Sequence, residues 1–207
     1  MKRALILLVV FAVLVPGTCF ALDDVVDMYN QGVAALKENR LDEAIDLFTR
    51  ALTLDPQDHL AYNNRGVAYK RKGQYDLAIQ DYNRALEIKP DYAYALANRG
   101  NARFKNGDMD GALQDLTLAA KHGRRDSVIY TSLGMVLKEK GNFEEAIKSL
   151  NRAIAINKKN VRAYQTLGEA YEGQKKLLKA LDAYRQVLHL SKNQDETLEA
   201  EKKIAHL

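Results

Sequence analysis

A glycine recurs at a fixed interval of 34 residues through most of this 207-residue chain. The five positions are Gly32, Gly66, Gly100, Gly134 and Gly168. An alanine keeps the same interval twelve residues later, at Ala44, Ala78, Ala112, Ala146 and Ala180. Glycine within a helix costs roughly 0.5–1 kcal/mol relative to alanine, so its return at one phase indicates a backbone contact too close for a Cβ atom. We therefore expect one structural unit in each period.

Each period contains two helical patterns separated by a turn. Apolar residues lie four before the glycine and four and seven after the alanine, which are the spacings of one helix face. Between the two patterns stand residues that tolerate the left-handed conformation of a helix end: Asn39, Gly73, Gly107 and Gly141. Pro56 and Pro90, themselves 34 residues apart, stop the second helix of their units. The pattern predicts two antiparallel helices per unit.

This order of residues resembles the tetratricopeptide repeat (TPR) family, whose 34-residue units are helix–turn–helix motifs. Residues 59–92 fit the signature best, through Tyr62, Gly66, Tyr69, Ala78, Tyr82, Ala85 and Pro90. The resemblance implies an all-α repeat solenoid over residues 22–194. Its five units are 25–58, 59–92, 93–126, 127–160 and 161–194. Residues 195–207 are predicted to form a C-terminal capping helix that Asp195 begins, with Leu198 and Ala205 facing inward.

The arginines at three positions depart from the family pattern. Arg65 and Arg99 replace the leucine before the glycine, and Arg103 replaces a tyrosine. The third unit also carries Gly111 and Gly123. We therefore expect this unit to be the least tightly packed and the least stable part of the array.

The N-terminus has the pattern of a secretory signal peptide. Two basic residues precede an apolar run over residues 4–15, which a Pro-Gly pair ends. Small residues follow at Cys19 and Ala21. This predicts a signal peptide over residues 1–21, cut between Ala21 and Leu22, and an exported protein that is periplasmic or secreted. A retained membrane anchor and lipid attachment at Cys19 stay open as alternatives.

Composition argues against several functional classes. Removing Lys2 and Arg3 from the 31 basic residues leaves 29, against 27 acidic ones, and this near-balance argues against a nucleic-acid partner. Cys19 is the only cysteine. The four histidines lack ligand spacing, and neither a catalytic set nor a phosphate-binding loop is recognisable. We expect no enzymatic activity, no metal site and no cofactor.

The candidate site follows from the resemblance, which implies that the first helix of each unit lines a concave surface. The sixth position of each unit is polar and forms a ladder: Asn30, Asn64, Asn98, Ser132 and Thr166. Each of these side chains can hydrogen-bond a peptide backbone. The ladder resembles the asparagine array in the peptide-binding superhelix of some sugar-transferring enzymes. A solvated polar helix face is the alternative explanation.

Further side chains flank this ladder. Polar and aromatic contacts come from Tyr29, Asn63, Tyr94 and Asn101. A basic rim over the first four units comes from five side chains and would favour an acidic partner: Lys37, Lys70, Arg71, Lys105 and Lys138. In the fifth unit the equivalent positions are acidic, with Glu169 and Glu172.

We therefore expect a non-enzymatic scaffold or adaptor of the cell envelope that binds an extended peptide segment of another protein in its concave groove. A membrane-tethered envelope assembly factor, or an accessory that positions a cell-wall or glycan-processing enzyme, is the alternative. No membrane insertion is expected after signal cleavage, and homo-oligomerisation stays open.

Overall fold

The computed structural model describes residues 22–123 and 125–207, so the predicted signal peptide, including Cys19, lies outside the described residues. All regular secondary structure in the described part is α-helical. Its helices are α1 (Leu22–Lys37), α2 (Leu41–Leu54), α3 (His59–Arg71), α4 (Tyr75–Ile88), α5 (Ala93–Lys105), α6 (Met109–His122), α7 (Ser127–Glu139), α8 (Phe143–Ile156), α9 (Val161–Gly173), α10 (Leu177–Leu190) and α11 (Gln194–Ala205).

The helices stack as successive hairpins. Each odd-numbered helix from α1 to α9 packs against the helix that follows it, and each even-numbered helix packs against the next odd-numbered one. The odd-numbered helices also contact one another in sequence, from α1 to α9. They form a continuous surface, which we call the odd-helix face. The predicted all-α solenoid of helical hairpins is confirmed.

The repeated glycine marks the closest approach within each hairpin. A Cβ atom at Gly66 would lie 2.7 Å from Cε1 of Tyr82, and one at Gly168 would lie 2.5 Å from Cε1 of Tyr184. Both tyrosines are fully buried, as are all five of the repeated alanines. Only glycine leaves room for these side chains, which explains the fixed interval.

The predicted left-handed turns are confirmed at all four positions. The backbone φ angles are 60° at Asn39, 76° at Gly73, 89° at Gly107 and 78° at Gly141. A fifth turn of the same kind places Lys175 at φ 58°, a position that the sequence pattern did not single out. The left-handed conformation costs an ordinary residue roughly 1–2 kcal/mol, so Lys175 is held there by the two helices it joins.

The arginines that depart from the family pattern pair with buried carboxylates. Arg65 donates to both carboxylate oxygens of Asp81, at 2.8 and 2.7 Å. Arg99 binds Asp115 in the same way, at 2.8 and 2.7 Å, and Arg103 adds a third bond to Asp115 at 2.9 Å. Asp115 is only 1% exposed. Arg103 is therefore a partner of a buried charge, and the lower stability of the third unit stays a prediction.

The last helix differs from its predicted orientation. Asn193, not Asp195, caps α11, and its side chain accepts from the backbone N–H of Asp195 at 2.9 Å. Ala200 is buried, whereas Leu198 is 49% exposed and Ala205 is also exposed. Ala200 belongs to the buried apolar cluster that α10 forms, so its side of α11 is the inward one. The predicted inward positions of Leu198 and Ala205 were wrong for this reason.

Candidate functional site

A chain of hydrogen bonds crosses the odd-helix face from α5 to α1. The Lys70 ammonium donates to Oδ1 of Asn98 at 2.9 Å, and Nδ2 of Asn98 donates to Oδ1 of Asn63 at 3.0 Å. Asn63 then donates to Oδ1 of Asn64 at 3.3 Å, and Asn64 donates to the Tyr29 hydroxyl at 3.0 Å. Every donor in this chain points the same way, from Lys70 to Tyr29. Bonds arranged in this way polarise one another.

This chain of hydrogen bonds holds two residues of the predicted ladder, Asn64 and Asn98, in fixed orientations. Each amide nitrogen carries two donor hydrogens, and the chain uses one from Asn64 and one from Asn98. The second hydrogen of each amide stays available. These side chains are therefore oriented before any partner arrives, which lowers the entropy lost on binding.

The other ladder residues lie in different environments. Asn30 is exposed on α1, whereas Ser132 on α7 and Thr166 on α9 are buried. The Thr166 hydroxyl donates to the carbonyl of Arg162 in its own helix, at 2.9 Å. The structure thus brings together the ladder residues of the second and third predicted units and leaves those of the first, fourth and fifth outside the hydrogen-bond chain.

A pocket of about 440 Å³ opens in the odd-helix face between α3 and α9. We call it the basic pocket. It is lined by five of the side chains that the sequence predicted for the groove: Lys70, Arg71, Asn101, Lys105 and Ser132. Sequence reasoning missed several of its other lining residues: Tyr75, Phe104, Val128, Thr131, Asn160 and Arg162. Val128 and Thr131 precede Met135 at helical spacing along α7, and this signal could have identified both of them.

Four cations line the basic pocket, and no carboxylate does. Burial, with a smaller contribution from the charge of Arg71, lowers the pKa of Lys70 to about 8. Arg71 donates to the carbonyl of Leu36 at 2.7 Å and so caps the end of α1. The Lys105 ammonium lies 5.9 Å from the centre of the Phe104 ring. The fourth cation is Arg162, which donates to the sulfur of Met135 at 3.3 Å.

Glu169 and Glu172, which were predicted to make the groove acidic in the fifth unit, are neutralised by partners within the fold. Glu169 pairs with Lys138 at 2.6 Å. Glu172 accepts from the Tyr184 hydroxyl at 2.9 Å and pairs with Lys203 of α11 at 3.2 Å. Neither of these carboxylates therefore offsets the cations of the basic pocket.

Two of the predicted aromatic contacts lie outside this pocket. Tyr29 ends the hydrogen-bond chain and packs edge-on against Phe48, with ring centroids 5.8 Å apart. Tyr94 is 56% exposed and packs against Tyr92, with centroids 5.9 Å apart. Tyr94 lines a different depression, at the turns that precede α5 and α7.

Among residues 22–123 and 125–207, no three histidine, cysteine or carboxylate side chains are grouped so that they could hold a metal ion. In the same part of the chain, no helix combines the length and the apolar character that crossing a membrane requires.

Family models of the TPR match more than half of the sequence. A tetratricopeptide repeat model matches residues 59–92, a TPR repeat model matches residues 32–73 and 134–175, and a further tetratricopeptide repeat model matches residues 161–194. A search of curated proteins found no match. Helical hairpins stacked around a repeated glycine define a helix–turn–helix repeat protein. The chain belongs to the tetratricopeptide repeat family.

Solved structures share this fold. TTC0263 from Thermus thermophilus, a thermophilic TPR protein, superposes with a TM-score of 0.73 at 22% identity, over 87% of this chain and 99% of its own. MamA from Desulfovibrio magneticus RS-1 gives a TM-score of 0.72 at 20% identity, over 84% and 98%. YrrB, described as a TPR protein with an unusual peptide-binding site, gives 0.68 at 22% identity, over 87% and 93%.

Proposed function

We propose that this protein is a non-enzymatic scaffold or adaptor of the cell envelope that binds an extended segment of another protein on its odd-helix face. The observation that carries this proposal is the basic pocket, which is lined by four successive odd-numbered helices. A segment that contacts α3, α5, α7 and α9 in turn must cross the helices rather than follow one of them. An extended chain suits this path because it exposes its backbone groups to each helix.

The oriented amides next to the pocket support the same proposal. Asn98 joins the hydrogen-bond chain to Lys70, and Lys70 lines the pocket. Asn101, one turn further along α5, lines the pocket directly. An amide can donate to a backbone carbonyl and accept from a backbone N–H, so it can hold a peptide whatever its sequence. The peptide-binding site for which YrrB is described gives a precedent for this use of the fold.

Export is the part of the proposal that depends on the sequence alone. It follows from the signal-peptide pattern over residues 1–21. The intact mass of the protein recovered from the envelope tests it. A mass that begins at Leu22 supports export and cleavage. A full-length chain in the membrane would support the anchored alternative, and a lipid mass on Cys19 would support lipidation.

Site-specific photo-crosslinking in cells tests the binding face. A photoreactive amino acid at position 101 would lie in the basic pocket, and one at position 84 would lie exposed on α4 among the even-numbered helices. We expect a discrete crosslinked partner from position 101 and none from position 84. Crosslinks from position 84 alone would move the binding site to the even-numbered helices.

A further inference from the structure

The cations of the basic pocket stand in two groups. Lys70 and Arg71 lie at the end of α3, and Lys105 lies at the end of α5. Arg162 lies in the first turn of α9. The helix α7 runs between them, since it contacts both α5 and α9. The pocket therefore has a cationic group on each side of α7.

None of the four cations has a carboxylate partner among the described residues. Lys70 and Arg71 bond neutral oxygens, Arg162 bonds a thioether sulfur, and Lys105 lies near an aromatic ring. Other lysines of the array do find carboxylates: Lys72 pairs with Asp42, Lys138 with Glu169 and Lys140 with Asp110. Lys70 is partly buried, whereas the other three cations are exposed. A partly buried charge without a counter-ion is unfavourable, so an anion that reaches Lys70 replaces the solvation that this ammonium has lost.

The surface between the two cationic groups is apolar. Val128 on α7 is 67% exposed, which is high for a branched apolar side chain. Met135 and Phe104 line the pocket with it. An apolar side chain seated here would cover Val128 and gain from burial. Two of the polar residues nearby are already bonded within the fold, because Asn160 donates to Thr131 at 2.9 Å and also to Ser127 at 2.6 Å.

We infer that the basic pocket binds an apolar side chain flanked on both sides by side-chain carboxylates, within an extended acidic segment of a partner protein. This inference rests on the proposed function and specifies the partner of the same site. Side-chain carboxylates are required because the two cationic groups lie on opposite sides of α7. A single chain terminus supplies one carboxylate and can neutralise only one of them.

A peptide selection tests the inference. A library of random peptides displayed on phage, where no peptide has a free C-terminus, is selected against the purified protein. We expect enrichment of peptides with aspartate or glutamate on both sides of a leucine, isoleucine, phenylalanine or methionine. The same selection against Lys70→Gln and against Arg162→Gln is expected to lose the acid on one side each. Glutamine keeps a donor for Asn98, so Lys70→Gln retains the fold.

Synthetic peptides with amidated ends then give affinities by fluorescence anisotropy. Replacing either acid by its amide, or making either variant, is expected to weaken binding about tenfold or more, since each change removes one charge-assisted hydrogen bond. Arg84→Gln on α4 is the matched control and is expected to leave the affinity unchanged. Binding that requires a free C-terminal carboxylate would overturn the inference in favour of a terminal anion.

A face-blocking variant that adds bulk without charge, Asn101→Trp, separates this inference from the proposed function. Peptides that lose binding to Asn101→Trp but carry no paired acids would overturn the inference and support the proposed function. Peptides that still bind Asn101→Trp with unchanged affinity, or a selection that enriches nothing, would overturn both.

Discussion

The side-chain amide of Asn98 donates to Oδ1 of Asn63, 3.0 Å away, and so joins α5 to α3 within the odd-helix face. Asn98 also accepts from Lys70, which places a partly buried cation beside the basic pocket. One side chain thus links the packing of neighbouring repeats to the electrostatics of the proposed binding site.

Removing this link is expected to affect stability as well as binding. Asn98→Ala removes the donor to Oδ1 of Asn63 and the acceptor of the Lys70 ammonium, so the free energy of unfolding should fall by about 1–2 kcal/mol. Asn101→Ala is the matched control, because Asn101 lines the pocket outside the hydrogen-bond chain. Denaturant unfolding should show a lower midpoint for Asn98→Ala and an unchanged one for Asn101→Ala. Equal midpoints for both variants would contradict a structural role for the chain.

Lys70 is expected to titrate well below the other lysines. Burial lowers its pKa from 10.5 to about 8, so the folded protein loses this proton while the unfolded chain still holds it. Between these two values the unfolded state binds more protons, and the contribution of Lys70 to the free energy of unfolding rises with pH. Below about pH 8 both states are protonated and the burial penalty is fully present.

NMR of ¹³C-methylated lysines measures this titration. One resonance should titrate near pH 8, and Lys70→Gln should remove it. The stability of the native protein relative to Lys70→Gln should increase as the pH rises from 8 towards 10.5. A resonance of Lys70 that titrates with the exposed lysines would show that its ammonium stays solvated.

At the repeated glycine positions, even a methyl side chain is expected to destabilise the fold. Gly66→Ala brings a Cβ within 2.7 Å of the fully buried Tyr82 ring, which has no space to move into. We expect a loss of about 1–3 kcal/mol in the free energy of unfolding. Gly111→Ala in the same array places its Cβ 2.1 Å from Oδ2 of Asp108, the residue that caps α6.

That contact alters what the sequence alone led us to expect of Gly111. Alanine should favour the helix by roughly 0.5–1 kcal/mol, but displacing the Asp108 cap costs about 0.5–2 kcal/mol. We expect Gly111→Ala to be neutral or mildly destabilising, and still less harmful than Gly66→Ala. Thermal unfolding of the two variants measures the order, and a larger loss from Gly111→Ala would contradict it.

The turn at Lys175 offers a stabilising change. Glycine adopts φ 58° without the steric cost that lysine has there, so Lys175→Gly should raise the free energy of unfolding by about 0.5–1 kcal/mol. The converse change, Gly141→Lys, places lysine at φ 78° in the equivalent turn and should lower stability by at least as much. A loss of stability from Lys175→Gly would indicate that the lysine side chain stabilises the turn.

The predictable part of this molecule is the part that repeats. The phases of Gly66 and Ala78 recur five times, so helix boundaries, buried positions and most turns follow from spacing. The hydrogen-bond partners do not recur. Asn63 binds both Asn64 and Asn98, whereas the equivalent positions of other units carry no such amide pair. The position of Lys70 beside Asn98 depends on the stacking of α3 on α5, which spacing within one unit cannot specify.

The buried Arg65–Asp81 pair can be tested against another unit of the same array. The fifth predicted unit has Leu167 and Ala183 at the positions of Arg65 and Asp81, and both of these residues are buried. Arg65→Leu alone leaves a buried carboxylate without its partner, and should cost about 3–5 kcal/mol in the free energy of unfolding.

The double variant, Arg65→Leu with Asp81→Ala, reproduces the apolar pair of the fifth unit. It removes both buried charges, and we expect it to recover most of the stability that Arg65→Leu loses, since apolar replacement of a buried ion pair is often neutral or stabilising. A double-mutant cycle of urea unfolding measures the coupling. Arg65 also donates to Thr49 of α2 at 3.0 Å, so Thr49→Ala is the control for that separate bond. A double variant as unstable as Arg65→Leu would show that the arginine stabilises the repeat through α2 rather than through Asp81.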